Sequence, residues 1–250
     1  MILPTEVVKA TNQNPKKLFI FSSPKVGKTT AVSMLENCLI IDLEKGSKYI
    51  DALKVQINSF EEFKDLIKSL NEANAKLGPG KYMYKYIAID TMTALEELAK
   101  PLALELYKQT ALGKAFKGGV PEFMLLPNGA AYGYLRNAFE KMYNAISNQC
   151  EYLILLGHLK KSAVNKANGM EISARDIDLT GKLKGLTCQD VDAIGYMYRK
   201  GKQVILHFES SEDDTVTGAR PTHLRNASIV LTEEVDGKLV SHWDKIFLPE

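Results

Sequence analysis

Cysteine is scarce in this chain: Cys38, Cys150 and Cys188 are odd in number, far apart and in no metal-ligand spacing. That pattern excludes a disulfide framework and a cysteine-based zinc module, and leaves core packing as the expected role of the first two. An excess of one charge is lacking too, with 32 Lys and Arg against 30 Asp and Glu and a net charge of +2. Any nucleic-acid surface must therefore be local, not global. No apolar run approaches the roughly 18 residues of a membrane span, and Met1-Ile2-Leu3-Pro4-Thr5-Glu6 lacks a signal-peptide layout. The expectation is a cytoplasmic protein with no membrane partner. What is present is ordinary globular material: 250 residues, 45% hydrophobic and 25% charged. This suits one large α/β domain over 1–250, with an arm at 1–16 and a tail at 233–250 holding the sole tryptophan, Trp243.

Strand-like and helix-like segments alternate. Leu18 to Phe21 reads as a strand, Gly27 to Leu35 as a helix with Val32 and Leu35 inward, and Cys38-Leu39-Ile40-Ile41-Asp42 as a second strand. Ser59-Phe60-Glu61-Glu62 forms a capping box for a helix carrying Phe63, Ile67 and Leu70, ended by Gly78-Pro79-Gly80. Tyr84 to Asp90 is a third strand, followed by a helix with Leu95, Leu98 and Leu102 that Pro101 should kink or end. A loop-rich stretch, Lys108 to Gly129, precedes a helix carrying Tyr132, Leu135, Phe139, Met142 and Ile146, then the strand Tyr152 to Leu156. Strands that are near-continuous apolar runs, separated by helices, indicate a mostly parallel sheet covered on both faces. After residue 186 the connections shorten, and Val191–Tyr198, Gln203–Phe208 and Ser228–Leu231 read as an antiparallel extension of that sheet.

The chemistry begins at Ser22-Ser23-Pro24-Lys25-Val26-Gly27-Lys28-Thr29-Thr30, between the first strand and its helix. In the pattern G-x-x-x-x-G-K-[ST], backbone N–H groups cradle phosphates, the Lys neutralises β/γ oxygens and the Ser/Thr hydroxyl ligates Mg²⁺. Gly27, Lys28 and Thr29 fit, while Ser22 stands where the first Gly should be and is expected to take the strand-to-loop bend. Ser23 through Thr30 are the residues expected around ATP and Mg²⁺. Asp90, ending Tyr86-Ile87-Ala88-Ile89-Asp90, is the Walker B carboxylate that would orient a metal-bound water beside Thr29, the alternative being a cap of the next helix, a role that can coexist with the first. Hydrolysis also needs a group to activate water, and the residue after Asp90 is Thr91, not a Glu. Glu44 is the choice, just past a strand expected to neighbour the phosphate-loop strand, against a plain role as a solvated loop acid. Asp42, Glu96 and Glu97 stand in reserve.

Glu44 after the second strand, Asp90-Thr91 without an adjacent Glu, and the sheet extension together resemble the RecA-type ATPase core over roughly residues 16 to 232. More narrowly, the chain resembles short RecA-like phage ATPases, some of which act in single-strand annealing and recombination. The resemblance implies an α/β RecA-like P-loop core that hydrolyses ATP, works on single-stranded DNA beside single-strand-binding or replication proteins, and lies in the bacterial cytoplasm if phage-encoded. It gives His158, in Gly157-His158-Leu159-Lys160, the role of γ-phosphate sensor, with a plain internal hydrogen bond as the alternative. It places the following segment, 158–185, where a second DNA-binding loop lies, and Lys108, Lys114 and Lys117 where a first one lies. That segment carries Lys160, Lys161, Lys166, Arg175, Lys182 and Lys184 against Glu171, Asp176 and Asp178, an excess of +3, but no aromatics for base stacking. Lys160, Lys161, Lys166 and Arg175 are the expected strand contacts, a mobile solvated loop being the alternative. The resemblance also implies a homo-oligomer whose ATP site is completed in trans by a basic finger, Arg220 first and Arg225 in reserve, against simple packing on a turn. A nucleotide-gated protein-interaction switch is the rival reading. A small-molecule phosphotransferase is weaker, because 158–185 holds a single Arg where such enzymes carry Arg-rich lids.

Overall fold

A computed structural model describes residues 3, 5–165, 171–210 and 216–249. In chain order the strands are β1 (Lys17–Ser22), β2 (Cys38–Asp42), β3 (Lys54–Gln56), β4 (Tyr84–Asp90), β5 (Cys150–Asn165), β6 (Glu171–Ile177), β7 (Ala193–Lys200), β8 (Gln203–His207), β9 (Gly218–Ala219), β10 (Ser228–Val235) and β11 (Lys238–Ser241). The helices are α1 (Lys28–Ser33), α2 (Phe60–Leu77), α3 (Met92–Lys108), α4 (Val120–Met124), α5 (Ala130–Ser147) and α6 (Lys182–Asp190). The strands join in the order β11-β10-β8-β7-β1-β5-β4-β2-β3, with β6 on β5 and β9 on β7. From β3 to β7 every neighbouring pair on this path is parallel, and β8, β10 and β11 add antiparallel. This is the α/β architecture of a P-loop NTPase core.

Strand alternation divides the interior in two. Phe19, Phe21, Ile87, Ile89, Leu153 and Leu155 face one side, where α2, α3, α5 and α6 supply Phe63, Leu95, Phe139 and Leu183. Leu18, Ile20, Ile40, Ala88, Ile154 and Leu156 face the other, where Ala31 and Val32 of α1 meet Trp243, Ile246 and Phe247. Residues 233–249 are thus packed into the fold. The Asp236-Gly237 turn joins β10 to β11, both residues at positive φ, and the segment beyond closes the α1 face. There Trp243 Nε1 donates to the Ala31 carbonyl at 2.7 Å, and Phe247 packs against Tyr86 and Tyr152. The N-terminal arm is pinned to the same end, where Asn14 exchanges two hydrogen bonds with Leu248.

Four local expectations are corrected. The helix α3 runs on through Pro101, which lies on its exposed side, where the carbonyl that loses its partner can meet water. At α2 the Ser59 hydroxyl accepts from Glu62 N, but the Glu62 carboxylate takes the Asn58 N–H rather than that of Ser59, so the capping box is only half formed. β7 does not belong to the antiparallel extension: it runs parallel to β1, with Phe21 opposite Tyr196. Residues 158–165 and 171–177 are not a loop either. β5 continues beyond the sheet and pairs with β6 as a hairpin, Lys161 opposite Arg175. In β6 Ala174 and Ile177 are buried while Arg175 between them is not, and so short an apolar pattern does not read as a strand.

Candidate functional site

The phosphate loop turns at Lys25 (φ 64°) and Gly27 (φ 115°), not at Ser22, which stays in β1 and is buried. Gly27 is therefore the position whose backbone needs glycine, and the left-handed residues curl the chain so that successive N–H groups can line an anion-sized concavity. Ser22 has a different use. Its Oγ accepts from Lys28 Nζ at 3.0 Å and donates to the Ser23 carbonyl at 2.8 Å. Burial pushes the Lys28 ammonium below its ordinary pKa, opposed by the charges of Asp90 and Glu44. The lysine is thus held inside the loop by a neutral hydroxyl. Thr30 follows along α1 and is half-buried, while Pro24 and Lys25 are exposed at the tip.

Across from the loop, Thr29 Oγ1 donates to Asp90 Oδ2 at 2.6 Å. Burial raises the Asp90 pKa from its ordinary value; the Thr29 bond opposes this, and the nearby Glu44 charge adds to it. A buried carboxylate facing a second one is an environment that a divalent cation relieves. Among the described residues no three His, Cys, Asp or Glu gather to hold a metal. Mg²⁺ takes one or two protein oxygens and completes its shell with water and phosphate. Thr29 and Asp90 would hold it.

Glu44 approaches from two strands away. β5 and β4 stand between β1 and β2, so the expectation that the Glu44 strand neighbours the phosphate-loop strand is corrected. The reach is made by a turn built on Asp42. Its carboxylate accepts from Glu44 N (3.1 Å), Gly46 N (3.2 Å), Ser47 N (3.0 Å) and Ser47 Oγ (2.5 Å), and Leu43 N donates to the Asp90 carbonyl at 2.7 Å. Burial works against ionisation of Asp42, but these bonds outweigh it and hold the pKa below the ordinary value. Asp42 is thus occupied with structure and carries Glu44 forward. Glu44 Oε1 meets His158 Nε2 at 2.8 Å and accepts from Thr91 Oγ1 at 2.6 Å. The second His158 nitrogen, Nδ1, is buried with no hydrogen-bond partner among the described residues. The reserve acids lie elsewhere: Glu96 accepts from Thr180 N at 3.1 Å, and Glu97 pairs with Lys100 in solvent.

Lys28, Thr29, Asp90, Thr91, Glu44 and His158 thus come from four strand ends and converge at one edge of the sheet. A family model described as "AAA domain" matches residues 14–228. The chain belongs to that family. No curated protein matches the chain. Membership makes this AAA-domain protein a P-loop ATPase-like domain with nucleotide-binding character, and the convergent residues are where a nucleotide's phosphates would lie. Among the described residues no helix is long and apolar enough to cross a membrane.

Other expected residues of this AAA-domain protein fall further off. Lys160 lies 3.9 Å from Asp178, and Lys184 pairs with Asp176 at 2.7 Å. Lys161 is exposed, and the Arg175 guanidinium sits 4.7 Å over the Tyr196 ring, which itself stacks on Tyr198. Lys166 lies outside the described residues. Lys108 ends α3, and Lys114 and Lys117 are exposed beside a cluster of Tyr107, Phe116, Phe123 and Tyr134 rings. Arg220 sits at the opposite end of the sheet from the phosphate loop. It is bound to Asp192 Oδ1 at 3.1 Å and to the Gln189 carbonyl at 2.8 Å, where Asp192 N donates to the Lys17 carbonyl. With the whole of β1 between, roughly 17 Å at 3.3 Å per residue, Arg220 does not reach the site of its own chain; nor does Arg225, whose Nε donates to the Arg220 carbonyl. Two residues were missed. Thr91 is a direct partner of Glu44, though it stood out in sequence only as the absence of a Glu. Arg199, on β7, donates from Nη2 to the Val26 carbonyl at 3.2 Å. Reading β7 as parallel to β1 would have brought its last residues to the loop.

Proposed function

We propose that this protein is a RecA-like, Mg²⁺-dependent ATPase acting on single-stranded DNA in phage-type recombination, annealing or replication. The observation that carries the ATPase reading is the contact set Lys28–Ser22, Thr29–Asp90 and Glu44–His158 at one sheet edge. Lys28 would neutralise β/γ oxygens, Thr29 and Asp90 would hold Mg²⁺, and Glu44 would take the proton from the attacking water, with catalysis by positioning and electrostatics alone. His158 would register the γ-phosphate. It lies in the strand that leaves the sheet as the hairpin, and its carbonyl accepts from Asp178 N at 3.0 Å, so a shift at His158 passes to Lys160, Lys161 and Arg175 through backbone. Those cations, with Tyr196 and Tyr198 nearby, support the DNA partner. ATP hydrolysis with and without single-stranded DNA, combined with the mass of the assembled species, tests the reading. Stimulation in a ring or filament is expected, and no DNA binding at low salt with an ATP analogue sinks the DNA half. Arg220 would then serve a neighbouring subunit, so that Arg220→Ala mixed with Lys28→Ala restores some sites.

A protein-interaction switch is the second reading. Two observations favour it: Lys160 and Lys184 have carboxylate neighbours, and Leu112 and Leu125 are 85% and 83% exposed. Under it, charge reversal at Lys160 and Lys161 leaves function intact and captured partners survive nuclease.

A further inference from the structure

The groups that would surround the γ-phosphate lie on one flank of β1: His158 on β5, Asp90 on β4 and Glu44 past β2, strands that succeed one another away from the phosphate loop. β7 forms the other flank. A polyphosphate with its terminal end among Thr29, Asp90 and Glu44 therefore runs back across the loop toward β7, and its α-phosphate and nucleoside emerge there. Arg199 stands on that flank. Its side chain is exposed, and its Nη2 donates to the Val26 carbonyl and would lie 3.7 Å from a Cβ added to Gly27, so the guanidinium rests against the loop. One donor of five is engaged, and among the described residues no carboxylate pairs with it. A permanently charged, planar fork with unused donors beside a phosphate cradle is suited to bidentate contact with a phosphate.

We propose that Arg199 is a second phosphate-binding cation of the nucleotide site, gripping the α-phosphate of a nucleoside di- or triphosphate from the flank opposite Asp90. The proposal rests on the nucleotide-binding reading. Lys28 serves the β/γ end and Arg199 the end that ADP and ATP share, so its loss falls on ground-state affinity and not on the hydrolytic step.

Calorimetric titration of Mg·ADP and Mg·ATP into the wild type, Arg199→Ala, Arg199→Lys and Arg199→Gln tests it. Arg199→Ala is expected to weaken both nucleotides alike, by about tenfold, with kcat at saturating ATP held and the melting temperature of the free protein unchanged. Arg199→Lys recovers part of the affinity. Arg199→Gln, which can donate to the Val26 carbonyl but carries no charge, does not. Unchanged ADP affinity in Arg199→Ala overturns the assignment, as does full recovery by Arg199→Gln, which would reduce the residue to a loop brace. A fall in kcat with ADP affinity intact also overturns it, by moving the guanidinium to the γ end. A wild type that binds neither nucleotide overturns the nucleotide reading itself, a result distinct from any of these.

Discussion

Replacing Asp42 with Asn probes the turn that carries Glu44 into the site. The substitution keeps the shape, and one carboxamide oxygen can still accept from Glu44 N and Gly46 N. The other position becomes a donor facing Ser47. The Ser47 hydroxyl can reverse its role, but the Ser47 N–H, in a residue only 4% exposed, loses its acceptor. An orphaned buried donor costs about 1–3 kcal/mol, and the lost charge assistance adds to it, so a loss of about 2 kcal/mol is expected at pH 7. At about 2–4 °C per kcal/mol for a chain of this size, the melting temperature falls by about 4–8 °C. Because the folded-state pKa of Asp42 lies below its ordinary value, its contribution is fully present above the unfolded-state pKa and is lost as pH falls through the folded one. The gap between wild type and variant must therefore narrow below about pH 4. Thermal melts at pH 7 and at the lowest pH that keeps the wild type folded measure it, and kcat should fall about tenfold as Glu44 loosens. Equal melting temperatures at pH 7, or a gap that does not shrink in acid, would show that the turn does not depend on the Asp42 charge.

Glu44→Gln retains an acceptor for His158 and Thr91 but cannot take a proton, so kcat should drop by about 10²–10⁴ while ATP still binds in titration; turnover near that of the wild type would move the base elsewhere. Lys28→Ala should abolish nucleotide binding in the same titration, because no other buried cation lines the loop among the described residues. Trp243→Ala should cost about 3–5 kcal/mol in denaturant unfolding, since it empties the α1 face and removes the Nε1 bond to the Ala31 carbonyl; a loss under 1 kcal/mol would mean that the C-terminal segment is dispensable.

The phosphate loop, Asp90 and the alternating core were legible because each rests on local pattern: apolar runs of strand length, a glycine-lysine-threonine step, an acid ending a strand. Strand order is not local. Glu44 was found through a wrong neighbour, since β2 lies beyond β4 and β5, and the Asp42 turn carries Glu44 across the end of β4 to Thr91 and to His158 on β5. The same blindness cost more on the other flank. Short connections after residue 186 suggest antiparallel strands, and α6, whose few apolar residues make a faint helical pattern, is the crossover that lets β7 return parallel to β1. Once β7 is parallel, its carboxyl end lies beside the phosphate loop, where Arg199 meets the Val26 carbonyl, while Arg220 lies at the amino end.

Ser22 shows the opposite relation between pattern and structure. As a departure from the glycine of the motif it read as a strained bend, yet the bend falls at Lys25 and Gly27, and Ser22 keeps ordinary strand geometry. A glycine there would leave Lys28 Nζ without its 3.0 Å partner in a pocket where burial already disfavours its charge. Asp90, nearest in charge, is bonded to Thr29, so the hydroxyl of Ser22 is the side chain that bonds the lysine. The serine is thus a hydrogen-bond partner of Lys28 within β1, and the deviation in the motif supplies that contact, not a bend.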